Sequence, residues 1–189
     1  WDNTIAILTG DFLFAQASDL LADLGPEAVR VQARTFARLV TGQIKETLGP
    51  GDGDAIAHYL TVVADKTGSL IATSGRFGAM LSGAGPEVVD VMTRFGEAIG
   101  VAFQLADDVL DVASDSEESG KTPGTDLREG VRTLPVLHAL ASEDPAGAEL
   151  RDLLVGDLAD DSRHARALML LRSSPAMEAA RADLRRYAD

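Results

Sequence analysis

Residues 103–115 read Phe-Gln-Leu-Ala-Asp-Asp-Val-Leu-Asp-Val-Ala-Ser-Asp. On a helix turning about 100° per residue, Asp107, Asp111 and Asp108 fall at about 0°, 40° and 100°, with Gln104 near about 60°. Leu105, Val109 and Val112 fall on the opposite side. One face therefore carries three carboxylates and an amide, and the other is apolar. Like charges three and four residues apart destabilise a helix, and nothing basic stands within a turn to offset them. A solvated acidic face is the plain explanation of such a cluster. The chemical one is a hard divalent cation bound by oxygen. Mg²⁺ in particular takes one or two carboxylates, several waters and the phosphates of a substrate.

Two further segments carry charge where anions could be met. Asp65-Lys66-Thr67-Gly68 lies within an otherwise apolar stretch (Tyr59, Leu60, Val62, Val63, Leu70, Ile71). A lysine there must either reach an anion or extend its ammonium to water. Gly120-Lys121-Thr122-Pro123-Gly124-Thr125-Asp126 has the composition of a phosphate loop. It lacks the Walker spacing and follows no strand, which argues against a nucleotide triphosphatase. It does follow the aspartate segment closely enough for Lys121 to fold back over it. Gly42-Gln43 is a weaker candidate of the same kind.

The elements that must position these residues read as helices separated by Gly and Pro. Thr4 to about Leu24 is strongly apolar and ends at Gly25-Pro26. Pro26 opens a second helix that runs to about Leu48. Asp54 caps a third through about Leu81, and a fourth runs from Pro86 to about Ser114 with the aspartate cluster at its end. Residues 115–130 form one long polar loop, and shorter helices are expected at about 132–143, 146–155, 161–173 and 175–188. No run alternates cleanly enough for a strand. The expectation is a single all-α domain over residues 1–189, built of long helices around an apolar cavity.

Composition narrows the function. The 189 residues include 17 basic and 30 acidic side chains, a net charge of −13, with 46% apolar residues. No basic stripe exists to neutralise a nucleic-acid backbone, and an anionic membrane surface would repel the chain. There are no cysteines, which excludes thiolate metal sites and permits a reducing, cytoplasmic setting. His58, His138 and His164 lie far apart and are expected as surface or boundary residues. The most apolar runs, Thr4–Leu8 and Ala167–Leu171, fall well short of the roughly 20 residues a membrane span needs, so none is expected. Trp1 is not an initiator and the helical rhythm is established by Thr4, so the chain is expected to begin inside a longer protein.

Phe103-Gln104-Leu105-Ala106-Asp107-Asp108-Val109-Leu110-Asp111, followed by Gly120-Lys121-x-x-Gly124-x-Asp126, resembles the second aspartate-rich region of the trans-isoprenyl diphosphate synthases, the polyprenyl synthetases. Lys66-Thr67-Gly68 matches that family's Lys-Thr segment, and Gly10-Asp11-Phe12-Leu13 and Thr133-Leu134-Pro135-Val136-Leu137 resemble two of its other helices. The resemblance covers nearly the whole chain in order.

It implies a prenyltransferase that condenses isopentenyl diphosphate with an allylic diphosphate. Asp107, Asp108 and Asp111 would bind Mg²⁺, while Lys66, Thr67 and Lys121 would contact the allylic diphosphate. Phe103 and Gln104 would line the reacting centre, and Gln43 would face the same cavity. The allylic diphosphate would ionise, the double bond of isopentenyl diphosphate would attack the cation, and a proton would then leave. Two departures stand out. The family's first aspartate-rich motif is absent, and Val131 stands where short-chain members carry lysine, with Arg132 adjacent. Class I terpene cyclases and head-to-head condensing enzymes share the helical scaffold but lack the Gly-Lys-x-x-Gly-x-Asp loop. The other alternative is a non-catalytic subunit of a heteromeric synthase, which keeps the fold and loses the site; the intact second motif speaks against it. The first helix, apolar on more than one side at Ile5, Ile7, Leu8, Phe12, Leu13 and Phe14, is expected to form a homodimer interface.

Overall fold

A computed structural model describes residues 2–114 and 123–189, and these are helical with no strand. Helices α1 (Asn3–Ala22) and α2 (Pro26–Leu48) run antiparallel. Gln32 donates to the Ser18 hydroxyl at 3.0 Å, and the Phe14 and Phe36 rings meet at 4.5 Å. Asp54 caps α3 (Ala55–Val63) by accepting from the Ile56 and Ala57 amides, as its sequence position suggests. The expected third helix then departs from simple α geometry. A π-helical turn, Ala64–Gly68, joins α3 to α4 (Ser69–Leu81), with the Ser69 amide donating to the Ala64 carbonyl. Such a turn inserts a residue and re-aims the side chains around it, and it recurs at functional sites.

Helix α5 (Pro86–Ala113) lies antiparallel along this rod in direct backbone contact. A Cβ on Gly96 would sit 2.7 Å from the Ile71 carbonyl oxygen, and one on Gly100 would sit 2.7 Å from the Gly68 Cα. Only hydrogen fits at either place, so the seam fixes the height of α5 against the π turn and brings Gln104 to Thr67. Beyond α5 come α6 (Thr125–Arg128), α7 (Leu134–Ala141), a 3₁₀ turn (Pro145–Gly147), α8 (Ala148–Leu154), α9 (Asp161–Ser173) and α10 (Pro175–Ala188). The helix expected at about 132–143 is shorter, because Thr133 and Ser142 are already extended.

The core lies between the C-terminal half of α5 and helices α7 to α10. Leu105, Val109 and Val112 are buried there with Leu134, Leu171 and Met177, so the apolar side of the aspartate helix faces inward as its spacing requires. Each such side chain stabilises the fold by about 1.5–3 kcal/mol.

Helix α1 behaves differently, for none of its residues is buried, and Ile7, Leu8, Phe12 and Leu13 are each at least 60% exposed. By length and composition it could cross a membrane, which corrects the expectation that nothing here could. The apolar runs are short individually. The Thr, Gly and Ala residues between them keep the whole helix apolar on average.

Candidate active site

The π turn and α5 together hold a polar chain inside the bundle. The Thr67 hydroxyl donates to Gln104 Oε1 at 3.2 Å, and Gln104 Nε2 donates to Asp108 Oδ1 at 3.3 Å. Asp108 Oδ2 accepts from the Tyr59 hydroxyl, in a short contact, and from the Leu134 amide at 3.1 Å. Leu134 is the first residue of α7, whose N-terminal Thr133 provides no side-chain cap. Asp108 therefore caps α7 from another helix, satisfying one orphan amide at the positive end of its dipole.

The three aspartates expected to bind metal stand in two different settings. Asp108 is 1% exposed and its oxygens are taken up by protein donors. Among the described residues no group of three His, Cys, Asp or Glu is placed to hold one ion. The physical reason is the helix itself. Adjacent residues diverge by about 100°, so the second of two consecutive aspartates turns toward the core when the first stays nearer solvent. Burial pushes the Asp108 carboxyl above its ordinary range, against the opposing pull of its three hydrogen bonds. Burial, then the Asp108 charge, pushes the Tyr59 phenol up as well.

Asp107 and Asp111 are partly buried and one turn apart. Burial, with the nearby Asp126 charge, raises the Asp111 carboxyl, while the Thr125 and Asp126 amides pull it down. An oxygen-only, net anionic pair in which the Asp107 charge adds to the rise at Asp111 is the donor set that a hard divalent cation relieves. Two carboxylates also match the small protein share of ligands that Mg²⁺ takes beside waters and phosphates. Asp111 is held at both ends of the residue. Its carbonyl accepts from the Gly124 amide at 2.8 Å, and Oδ1 accepts from the Thr125 amide at 3.2 Å.

Lys66 is partly buried and its ammonium meets Glu46 at 2.5 Å, so it does find an anion. Gln43 donates to the same Glu46 carboxylate at 2.8 Å, which brings the two expected donors together on one partner. Phe103 is 64% exposed, one turn before Asp107 on α5. Lys121 lies outside the described residues. Arg132 lines a recess of about 380 Å³ with Glu46, His58 and Tyr59.

Four features were not anticipated from sequence. Tyr59 and Glu46 carry no local signal, because their partners are 49 and 20 residues away. Asp65 is buried and bonded to Arg38 at 2.7 Å and Lys45 at 2.8 Å. Its burial raises the carboxyl, but the Lys45 and Arg38 hydrogen bonds outweigh that and leave it below the ordinary range. Arg38, Gly42 and Lys45 recur on one face of α2, a spacing that hints at the cluster. His164 departs from the surface or boundary position expected of it, since it is 5% exposed, whereas His138 is half-buried at the boundary and pairs with Asp183 at 2.8 Å.

The chain is 55% identical over its full length to a nonaprenyl diphosphate synthase of Mycobacterium tuberculosis, spanning 56% of that protein. It is 47% identical to a dimethylallyltranstransferase of the same organism, spanning 57% of it. Among solved structures, it matches a geranylgeranyl pyrophosphate synthase from Corynebacterium glutamicum in complex with calcium and isoprenyl diphosphate. The TM-score is 0.89 at 51% identity, covering 99% of this chain and 58% of that one. A polyprenyl synthase from Caulobacter crescentus, also with calcium and isoprenyl diphosphate, matches at a TM-score of 0.87 and 32% identity, covering all of this chain and 58% of that one. The chain thus spans rather more than half the length of these relatives. Residues 1–171 match the polyprenyl synthetase family itself, and the chain belongs to that family.

Proposed function

We propose that this chain carries the second aspartate-rich helix and the cavity wall of a prenyltransferase joining isopentenyl diphosphate to an allylic diphosphate. The observation that supports it most is the pair Asp107 and Asp111, one turn apart beside the Thr67–Gln104–Asp108 hydrogen-bond chain. In this reading Asp107 and Asp111 hold Mg²⁺, which when bound neutralises charge developing on a leaving diphosphate. Asp108 holds the helix rather than the ion. Lys66, Thr67 and Gln43, with Lys121 from the following loop, supply donors to the diphosphate, and Lys66 leaves Glu46 to do so. Gln104 is kept in one orientation by Thr67 and Asp108 beside the reacting carbon. Phe103, Ile99 and Phe95 stand exposed along α5 and form an apolar wall that keeps water from an allylic cation. The same reading takes the cysteine-free chain as cytoplasmic and the open apolar surface of α1 as a homodimer interface. Sedimentation of the natural full-length protein as a monomer refutes the dimer, and its recovery with membranes refutes the cytoplasmic placement.

The test is condensation of radiolabelled isopentenyl diphosphate with an allylic primer by the natural full-length protein and its Asp107→Ala variant. The expected loss in kcat is several orders of magnitude at an unchanged helical circular dichroism signal. A loss under about tenfold, or about 1.4 kcal/mol of barrier, removes Asp107 from the metal.

A further inference from the structure

We infer that His164, on α9, is a positioning residue for Asp111. The inference rests on the reading of Asp111 as a metal ligand and extends it to a residue that touches neither metal nor substrate. His164 Nε2 lies 2.8 Å from the Gly124 carbonyl oxygen. A carbonyl only accepts, so Nε2 carries the proton and Nδ1 presents a lone pair. That lone pair accepts from Arg128 Nη2 at 3.2 Å, and Arg128 Nη1 is anchored on Asp161 at 2.8 Å. Both ring nitrogens are therefore committed, and the tautomer is set by its partners.

The turn that His164 grips has little freedom of its own. Gly124 has φ +70°, a region that glycine occupies at no steric cost. A Cβ there would meet His164 Nε2 at 2.8 Å, so ring and backbone are in close contact. From this turn the Gly124 and Thr125 amides reach the Asp111 carbonyl and carboxylate. The sequence of contacts runs from α9 through the imidazole to the Gly124 peptide, and from that turn to Asp111 Oδ1. A carboxylate rotates through a broad range about its last torsion. The Thr125 amide restricts that rotation, and His164 holds the turn that supplies the amide. Partners that orient a metal ligand are typically worth about tenfold to a hundredfold in metal affinity.

The experiment is Mn²⁺ binding to the natural full-length protein, followed by electron paramagnetic resonance with inorganic pyrophosphate present. His164→Ala is expected to weaken Mn²⁺ binding at least about tenfold. His164→Gln, whose amide reaches the Nε2 position, is expected to restore binding to within about threefold of wild type, whereas His164→Asn reaches only Nδ1 and is expected to stay weak. A purely structural role would lower the urea midpoint in all three variants without separating Gln from Asn. Wild-type Mn²⁺ affinity in His164→Ala or His164→Asn, with Asp111→Ala weakened, overturns this inference and leaves the metal reading intact. Unchanged affinity in Asp111→Ala overturns the metal reading itself, and the inference with it.

Discussion

Replacing Asp108 separates a carboxylate that binds metal from one that holds two helices together. In Asp108→Ala the Tyr59 hydroxyl and the Leu134 amide both lose their acceptor inside the fold. A buried donor left unpaired costs about 1–3 kcal/mol, so the two cost about 2–6 kcal/mol. Removing a buried charge returns part of that, leaving a net loss of about 3 kcal/mol. With a urea dependence of about 2 kcal/mol per molar, the midpoint should fall by about 1.5 M.

Asp108→Asn should cost less than about 1.5 kcal/mol. Its remaining oxygen can serve Tyr59 and Leu134, and the introduced amide can donate to Gln104 if that side chain turns over. The turned Gln104 then donates to the Thr67 hydroxyl, which can accept.

The sign of the pH dependence follows from the raised Asp108 carboxyl. Between the ordinary value of 3.8 and the higher folded value, the native state binds more protons than the unfolded one. Wild-type stability in that window falls as pH rises. Its advantage over Asp108→Asn should therefore be largest near about pH 4 and narrow toward about pH 7. Urea unfolding in metal-free buffer, read by far-ultraviolet circular dichroism, measures both quantities. If Asp108→Ala unfolds like wild type yet loses Mn²⁺ as completely as Asp107→Ala, Asp108 is a ligand and the capping argument is wrong.

The backbone seam makes Gly100→Ala costly, since its Cβ would lie 2.7 Å from the Gly68 Cα and 3.2 Å from the Thr67 carbonyl oxygen, neither of which can yield like a side chain. We expect a loss of about 1–3 kcal/mol in urea unfolding. Gly78→Ala, with nothing within 4 Å, should instead stabilise α4 by about 0.5–1 kcal/mol, and equal effects at both positions would refute the seam. Asp65 has its carboxyl lowered by Lys45 and Arg38, so the stability it contributes is complete above its unfolded value and lost as pH falls through the folded one. Its cationic partners are 37–39% exposed, which limits the Asp65→Asn effect at neutral pH to about 1–2 kcal/mol. A difference that grows on acidification to below about pH 4 would contradict the assignment.

Much of this architecture could be read from the sequence, because its signals are local. Gly25-Pro26 and Gly85-Pro86 mark helix boundaries, and Asp54 caps α3 as its position suggests. The apolar side of residues 103–115 is buried where the 3.6-residue period puts it. The π turn at Ala64–Gly68 was not legible, since the one inserted residue shifts the apolar phase by about 100° within a stretch that is apolar nearly all round, where no shift shows. Nor was the inward turn of Asp108. At about 100° it stands at the edge of the polar arc, and its side is decided by Tyr59 and by the buried N-terminus of α7, which has no side-chain cap of its own, both remote in sequence. His164 was missed for the same reason, with its partner Gly124 lying 40 residues before it.

The consecutive aspartates are best understood as two jobs on one helix. Asp107 faces outward with Asp111 one turn on, while Asp108 faces inward and caps α7. An ion held by Asp107 and Asp111 is only as well placed as the helix carrying them. That helix is fixed at one edge by the Gly68–Gly100 contact and at the other by the Asp108–Leu134 cap. Thr67 and Gln104 connect the two fixings, so a shift of the π turn would be felt at Asp108 through two hydrogen bonds. The polar chain inside this bundle couples the register of the lysine-bearing rod to that of the acidic helix. On the proposed reading, Lys66 and Asp107 address one diphosphate only if that register is held.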